Sequence, residues 1–166
     1  MASNRHTAQL FLDADQMAGT VAQYLAAGLA DGAPALLLVT PAQAELIRSR
    51  LGETDGRLVV LDAEEVVAGG VPSAADFERV VGGAIDELAA RFPEHVVRVY
   101  GEAVDVLMAR GEHAAAISLE ELWNSLAWSR RFTLLCGYRH ERFDDEAGAA
   151  ALPEVERTHS HVAFAV

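Results

Sequence analysis

The sequence predicts a three-layer α/β/α fold built on a mainly parallel β-sheet. Short apolar runs alternate along the chain with longer segments in which apolar residues recur every three to four positions, as in strands separated by helices. The run Ala35–Val39 is apolar at every position, which is typical of a parallel strand covered by helices on both faces. Right-handed connections between such strands would place helices on both sides of the sheet.

The individual elements follow from these patterns and from the residues that begin helices. Asp13 with Gln16 three residues later resembles a capping box and predicts the start of the first helix. Thr40 before Pro41 predicts the start of the second helix, and Ser73 that of a later one. The predicted strands cover residues 7–12, 35–39, 57–61, 96–100, 132–138 and 161–166. Predicted helices include 41–51, 102–110, 112–129 and 153–158, and residues 139–150 are predicted to form a mobile loop.

Length and composition predict one globular domain covering residues 1–166. The chain has 166 residues, of which 51% are hydrophobic and 23% are charged. Its formal net charge of −12 argues against direct binding of nucleic acid, because phosphate contacts need clustered cations, and it also disfavours anionic membrane surfaces. No apolar run approaches the roughly 18–20 residues of a membrane span. No N-terminal signal segment is recognisable either, so we expect a cytoplasmic location.

The composition also excludes several kinds of chemistry. All 13 basic residues are arginine, so the chain has neither a Schiff-base lysine nor the lysine of a phosphate-binding loop. Cys136 is the only cysteine, which excludes an intrachain disulfide, and its apolar surroundings are typical of a small buried residue. No Gly-x-Ser-x-Gly motif is present. We therefore expect no catalytic residues and no cofactor.

Polar side chains follow several of the predicted strands and mark a candidate ligand site. Ligands of open α/β sheets bind outside the carboxyl ends of the strands, where Thr40, Glu102 and Tyr138 are expected to lie. Thr40 has a simpler explanation as a helix N-cap. Glu102 follows Tyr100-Gly101 and is expected to face the crevice, although complementing a helix dipole is an equally good explanation for it.

A second group of candidate residues lies on one face of the helix predicted over residues 112–129. Glu120, Trp123 and Asn124 are separated by three and four positions, which places them on the same side of a helix. A tryptophan beside an apolar stripe is more often part of the core than a ligand contact. Asn124 could instead brace this helix against the loop after Tyr100, since a buried amide needs a hydrogen-bond partner.

The histidines offer a metal site as a less favoured alternative. His6 precedes the first predicted strand, and His159 precedes the last one. If those strands were neighbours, the two histidines and a carboxylate such as Glu102 could bind a metal ion. Neither a His-x-x-x-His motif nor a cysteine pair supports this site. A single histidine at a strand start is more often exposed or hydrogen-bonded, and we expect no metal.

Several segments of the chain resemble one known family in their order and spacing. They are Val97-Arg98-Val99-Tyr100-Gly101-Glu102, Leu119-Glu120-Glu121-Leu122-Trp123-Asn124 and Leu134-Leu135-Cys136-Gly137-Tyr138, preceded by His6 and followed by His159-Ser160-His161-Val162. Together they are similar to the MEDS domain, the sensory domain of methanogen and methylotroph regulators and of a dichloromethane-responsive repressor.

This resemblance implies a RecA- or KaiC-like fold with a degenerate nucleotide site, which agrees with the absence of lysine. It also implies sensing of small molecules such as hydrocarbon derivatives, with output through a histidine-kinase-like anti-sigma protein or a DNA-binding domain. Arg139 stands where the family usually has proline, so the loop after it is expected to differ. The positions that the resemblance marks are His6, Glu102, Glu120, Trp123, Asn124, Cys136 and His159.

From these observations we predict a non-catalytic sensory domain that binds a small organic molecule at the strand ends. Because 166 residues leave no room for an output domain, the signal is expected to pass in trans to a histidine-kinase-like regulator or to a second copy of the chain. The alternatives are a pure protein-interaction module, with a large exposed apolar patch and no pocket, and a metal-dependent hydrolase using His6, His159 and Glu102. The predicted ligand-binding residues are His6, Thr40, Tyr100, Glu102, Glu120, Trp123, Asn124, Cys136, Tyr138 and His159.

Overall fold

The computed structural model describes residues 5–164 of the chain. The strands within this range are β1 (His6–Phe11), β2 (Ala35–Val39), β3 (Leu58–Asp62), β4 (Val97–Gly101), β5 (Phe132–Arg139) and β6 (His161–Phe164). The helices are α1 (Ala14–Ala30), α2 (Pro41–Leu51), α3 (Ala63–Val66), α4 (Ala74–Phe77), α5 (Gly83–Arg91), α6 (Ala103–Ala109), α7 (His113–Ser129) and α8 (Glu146–Thr158). A π-helical turn (Glu78–Gly82) joins α4 to α5, and a 3-10 turn (His140–Phe143) follows β5.

The strands form one sheet in which every pairing is parallel. Their order is β3-β2-β4-β5-β1-β6. Helices α1 and α2 pack on one face, and α3 to α8 pack on the other. The predicted three-layer α/β/α fold with a parallel sheet is therefore confirmed. The RecA-like relationship stays a prediction.

Burial within β2 shows why this strand consists entirely of apolar residues. Leu36 and Leu38 face the core beneath α3 to α8, whereas Leu37 and Val39 face the core beneath α1 and α2. Each of these four side chains is fully buried. Since both faces of the strand are covered, alternation of apolar and polar residues would leave a polar group in one of the two cores.

Local hydrogen bonds confirm the predicted helix starts. The Asp13 carboxylate accepts from the Gln16 backbone N–H at 2.7 Å, and the Gln16 side chain accepts in turn from the Leu12 N–H at 2.8 Å. The Thr40 hydroxyl accepts from the Gln43 N–H at 3.4 Å. These contacts satisfy backbone donors that a helix leaves unpaired at its first turn.

The predicted mobile loop over residues 139–150 is wrong. The segment contains the 3-10 turn, and α8 then begins after Asp145, whose carboxylate accepts from the Gly148 N–H at 2.7 Å. A side chain at Gly148 would collide with the backbone carbonyl of Arg142, so glycine permits the turn and the helix to pack together. Helix α8 also continues through Pro153, which the sequence analysis placed near a helix start.

The remaining boundaries differ from the predictions by one or two residues at most, as is usual at the ends of elements. Strand β6 is described as far as Phe164, so the rest of the predicted strand 161–166 lies outside the described residues. Residues 1–4, which belong to the N-terminal segment in which we expect no signal sequence, also lie outside the described residues. Among the helices of residues 5–164, none is both long and apolar enough to span a bilayer.

Candidate functional site

Strands β2 and β4 are neighbours in the sheet, but the connections that follow them leave to opposite faces, and a crevice opens between the two strand ends. The segment after β2 crosses the face covered by α1 and α2, whereas the segment after β4 crosses the opposite face. Neighbouring strand ends whose chains leave to opposite sides form the usual ligand position in α/β sheets. A cavity of about 350 Å³ lies at this point. Its lining includes Thr40, Gln43, Glu102, Asp105, Tyr138 and Arg139.

Glu102 stands at the centre of this crevice and is held by two neighbours. Its Oε1 accepts from the Thr40 backbone N–H at 3.1 Å, and its Oε2 accepts from the Tyr100 hydroxyl at 3.4 Å. Only 7% of the residue is exposed. Burial raises the pKa of the Glu102 carboxyl to about 7, against the opposing effect of the Thr40 hydrogen bond and with a further contribution from the charge of Asp105. The group can therefore exchange a proton near neutral pH.

Tyr100 reaches Glu102 because the neighbouring strand carries glycine at position 137. The Tyr100 side chain lies across β5 on the face covered by α1 and α2. A Cβ atom at Gly137 would collide with the Tyr100 hydroxyl and lie 2.8 Å from its Cζ. Burial, reinforced by the negative charges of Glu102 and Asp105, raises the pKa of Tyr100 well above its ordinary value, so this hydroxyl remains a hydrogen-bond donor.

Substitution of Gly137 by alanine is expected to destabilise the protein by about 1–3 kcal/mol, the usual cost of overpacking a core. The new methyl group must displace the Tyr100 ring and break its hydrogen bond to Glu102. Gly83→Ala is the control, because nothing lies within 4 Å of a Cβ atom at that helical position. Urea unfolding of both variants measures the difference, and a Gly137→Ala variant as stable as Gly83→Ala would contradict this account.

Asp105 in α6 fixes the side of the crevice that is formed by the segment after β5. Its Oδ1 accepts from the Arg139 backbone N–H at 2.8 Å and from Arg142 Nε at 3.1 Å, while its Oδ2 accepts from Arg142 Nη2 at 3.3 Å. The start of the segment after β5 is thereby tied to α6. No carboxylate of residues 5–164 pairs with the Arg139 guanidinium, in contrast to that of Arg142. Arg139 thus provides a cation at the crevice.

Gln43 adds an acceptor that no protein donor satisfies. It lies in the first turn of α2, immediately after the Thr40 cap, and it lines the crevice. Its Oε1 atom is buried, and no donor among the described residues reaches it. Buried acceptors of this kind are nearly always paired, because an unpaired one costs about 1–3 kcal/mol. Gln43 therefore leaves one amide acceptor in the wall of the crevice without a protein donor.

Four of the other predicted residues gather in a separate buried cluster on the face of the sheet that α3 to α8 cover. Glu120 of α7 lies at its centre and is fully buried. Glu120 Oε2 lies 3.0 Å from His6 Nε2 and 3.4 Å from Cys136 Sγ. Glu120 Oε1 accepts from the Tyr138 hydroxyl at 2.5 Å and lies 3.2 Å from His159 Nε2. We call His6, Glu120, Cys136 and His159 the buried cluster.

The hydrogen bonds made by the Nδ1 atoms fix the tautomers of His6 and His159. The Asn124 amide N–H donates to the Thr158 carbonyl at 3.0 Å, so its Oδ1 accepts a hydrogen bond from His6 Nδ1 at 2.9 Å. His159 Nδ1 donates to the Val155 carbonyl at 2.6 Å. Both rings therefore carry a hydrogen on Nδ1, and both direct Nε2 toward Glu120.

Electrostatics within the cluster favour an ionised Glu120. Burial would raise the pKa of this carboxyl, but the charge and hydrogen bonds of His159 and His6 outweigh burial and hold it below its ordinary value. Burial would lower the pKa of His159, but the Glu120 carboxylate raises it above the ordinary value. Burial, together with the charge of Glu120, raises the pKa values of Cys136 and Tyr138 well above their usual range.

Nine of the ten predicted residues are divided between two places, and the tenth, Trp123, lies in the hydrophobic core. Thr40, Tyr100, Glu102 and Tyr138 line the crevice, whereas His6, Glu120, Cys136 and His159 form the buried cluster, with Asn124 beside it. Tyr138 belongs to both places, because the residue is part of the crevice lining and its hydroxyl donates to Glu120.

Trp123 and Asn124 have identifiable structural roles. Trp123 is 1% exposed and packs edge-on against Phe77, with a centroid distance of 5.0 Å. The prediction that Asn124 braces α7 against the loop after Tyr100 is wrong, because its amide instead joins His6 to the end of α8. Direct ligand contacts by Trp123 and Asn124 stay a prediction.

Sequence reasoning missed Gln43, Asp105 and Arg142, and it named the wrong carboxylate beside the histidines. Gln43 and Asp105 could have been found, since both lie in the first turn of a helix that follows a strand end. Arg142 was assigned to a mobile loop. The histidines do converge as the metal alternative required, but with Glu120 and Cys136 rather than with Glu102.

Comparison with known families agrees with the resemblance seen in the sequence. A family model described as MEDS, the MEthanogen/methylotroph, DcmR Sensory domain, matches residues 5–160. The match covers nearly the whole chain and includes every residue of the crevice and the buried cluster. Neither a curated protein nor a solved structure matches the chain.

Proposed function

The chain belongs to the MEDS family of sensory domains, and from this premise we propose that it senses a small polar organic molecule bound in the strand-end crevice. The observation that carries the proposal is the unsatisfied Gln43 Oε1, in a residue that lines the same crevice as the buried Glu102. A folded protein rarely retains such an acceptor unless a bound molecule or water supplies the missing donor.

The lining restricts the chemistry of this ligand. Its hydroxyl or amine group would donate to Gln43 Oε1, and a second polar group would meet Glu102. An acceptor or anionic group would be placed toward Arg139, whose guanidinium has no ion-pair partner in the described part of the chain. A volume of about 350 Å³ is near the lower end for small-molecule sites. Short diols, hydroxy acids and amino alcohols meet these requirements.

The proposed signal is a change in the surface formed by the segment after β5. Asp105 holds this segment through the Arg139 backbone and the Arg142 side chain, next to the proposed ligand. Because 140–143 and α8 are already helical, a ligand would shift this packed segment rather than order a loop. A ligand can move the segment from one position to another only if it binds more tightly to the protein with the segment in the second position. A histidine-kinase-like regulator, or a second copy of the chain, is the proposed recipient.

A thermal-shift screen with short alcohols, diols, hydroxy acids, amino alcohols and nucleotides tests ligand binding. We expect stabilisation by at least one of the small polar compounds and none by nucleotides. Gln43→Leu should weaken binding of that compound at least tenfold, equivalent to about 1.4 kcal/mol, because a buried acceptor is removed. Gln23→Leu, at an exposed position of α1, is the control. Unchanged binding by Gln43→Leu, or no stabilisation by any compound together with no partner captured by the full chain, would contradict the proposal.

The exposed apolar residues favour sensing over a role in protein interaction alone. Within residues 5–164, the large apolar side chains that are exposed include Leu12, Leu46, Val71, Trp128 and Phe164, which belong to five different segments of the chain. A pure interaction module would be expected to show a contiguous apolar patch. The presence of a polar crevice at the switch point instead supports a ligand-responsive domain.

A further inference from the structure

The buried cluster contains four side chains that are all common metal ligands. They come from four separate elements: His6 from β1, Glu120 from α7, Cys136 from β5 and His159 from the end of α8. One potential ligand atom from each lies within 4.8 Å of those of the other three. From this arrangement we propose that the cluster is a binding site for one divalent metal ion of the zinc class. The inference is independent of whether the crevice binds a ligand.

The distances within the cluster suit tetrahedral coordination. Bonds of about 2.0–2.3 Å from zinc to nitrogen, oxygen and sulfur separate neighbouring ligand atoms by roughly 3.3–3.8 Å. His6 Nε2 lies 3.0 Å from Glu120 Oε2 and 3.3 Å from Cys136 Sγ, and the latter two atoms are 3.4 Å apart. Small outward movements of these side chains would therefore admit an ion without any rearrangement of the sheet.

The histidines are already oriented as metal ligands usually are. In most metal sites the second ring nitrogen donates to a carbonyl, an amide oxygen or a carboxylate, which leaves the ligating nitrogen free of its proton. Asn124 and the Val155 carbonyl serve this purpose for His6 and His159. His159 Nε2 is buried and faces Glu120 Oε1 at 3.2 Å, but it makes no well-formed hydrogen bond there. This nitrogen therefore points into the cluster, where an ion would be coordinated.

The charges and the hydrogen bond from Tyr138 are consistent with a closed site. A thiolate and a carboxylate neutralise a divalent ion, so the occupied site would carry no net charge into the core. On coordination the Cys136 thiol would release its proton to solvent. Tyr138 occupies Glu120 Oε1 and leaves Oε2, the atom nearer to His6 and Cys136, to coordinate. Because four protein atoms fill the tetrahedron, the site suits a structural or regulatory ion rather than a catalytic one.

An ion-pair cluster without metal is the competing explanation. Glu120 paired with a protonated His159 would account for the carboxylate and one imidazole. It would not require a cysteine, which is a weak hydrogen-bond partner. The contact of Cys136 Sγ with both His6 Nε2, at 3.3 Å, and Glu120 Oε2, at 3.4 Å, is the feature that favours a soft divalent cation.

Cobalt binding to the full chain, made without a polyhistidine tag, distinguishes these explanations. After dialysis against a chelator and then against chelator-free buffer with a phosphine reductant, Co²⁺ is titrated in. We expect one Co²⁺ per chain, visible bands typical of tetrahedral cobalt and a near-ultraviolet band from thiolate-to-cobalt charge transfer. Cys136 is the only cysteine, so the charge-transfer band can come from no other residue. Equimolar Zn²⁺ should abolish these bands and raise the midpoint of thermal unfolding.

Three variants assign the ligands. Cys136→Ser should lose the charge-transfer band, and Asn124→Ala should bind Co²⁺ about 10–100-fold more weakly, as is usual when the partner of a metal-binding histidine is removed. His140→Gln, at an exposed histidine outside the cluster, should bind like the unsubstituted chain. The proposal is overturned if the unsubstituted chain shows no charge-transfer band with Co²⁺, or if Cys136→Ser retains the band. The result for the unsubstituted chain decides the question even if a variant fails to fold.

Discussion

Replacing Glu120 with glutamine is expected to lower the free energy of unfolding by about 3–5 kcal/mol, measured by urea denaturation of chelator-dialysed protein. Glutamine fills the same volume, so the loss reports the charge rather than a cavity. The substitution would leave His159 without its carboxylate partner in the core and would weaken the hydrogen bond from Tyr138. A free energy of unfolding within 1 kcal/mol of the unsubstituted chain would show that the cluster is not an ionic centre.

The adjacent residue supplies a matched control. Glu121 pairs with Arg157 at 2.7 Å, but both side chains are about half exposed, at 50% and 55%. Glu121→Gln should therefore change the stability by less than about 1 kcal/mol, since water screens the pair and holding two long side chains together costs entropy. The same chemical change at neighbouring positions thus separates the effect of burial from that of the substitution.

Replacing Glu102 with glutamine is expected to change the pH dependence of stability. The folded-state pKa of Glu102 is raised to about 7, because the carboxyl is buried. The folded protein therefore keeps a proton that the unfolded chain releases at a lower pH. Stability conferred by the protonated carboxyl is full at acidic pH and is lost as the pH rises toward 7. The total loss is about 3 kcal/mol, at about 1.4 kcal/mol per unit of pKa difference.

Glutamine mimics the neutral acid and does not titrate. We compare the free energy of unfolding of Glu102→Gln with that of the unsubstituted chain. This difference should be about 2–3 kcal/mol more favourable to the variant at pH 8.5 than at pH 5. Denaturant unfolding at several pH values measures this gain. Glu64→Gln, the same substitution at an exposed position of the same crevice, is the matched control. Identical profiles for Glu102→Gln and the unsubstituted chain would mean that Glu102 is not the group whose ionisation opposes folding.

The crevice around Glu102 is open to solvent, whereas the buried cluster around Glu120 is not. Glu102 lies in an open crevice, where a ligand could hydrogen-bond to it and alter its ionisation. Glu120 has no exposure and is surrounded by the side chains of His6, Tyr138 and His159. Tyr138 belongs to the lining of the crevice and donates its hydroxyl hydrogen bond to Glu120. The crevice is therefore suited to reversible binding, and the buried cluster to stabilising the strands beneath it.

Much of the fold is encoded by short-range patterns. The apolar run of β2 specifies a strand buried on both faces, and Thr40 with Pro41 specifies the start of α2. Glu102 was placed at the crevice because parallel strands all present their carboxyl ends at one edge. Each of these predictions depends on residues that are close together in the sequence, so local sequence patterns are sufficient to make it. The segment after β5 was misjudged because its charged and small residues hide a helix that packs through Gly148.

The partners within the buried cluster were decided by the tertiary structure. The sequence alone specified alternating strands and helices, the edge where polar strand ends meet, and the absence of lysine-dependent chemistry. It could not bring His6 and His159 together with Glu120, because that depends on β1 lying between β5 and β6. In this register Ala8 pairs with Cys136 and Thr7 with His161, so residues far apart in the chain become neighbours. Strand order results from the packing of all helices on both faces, and no local pattern specifies it.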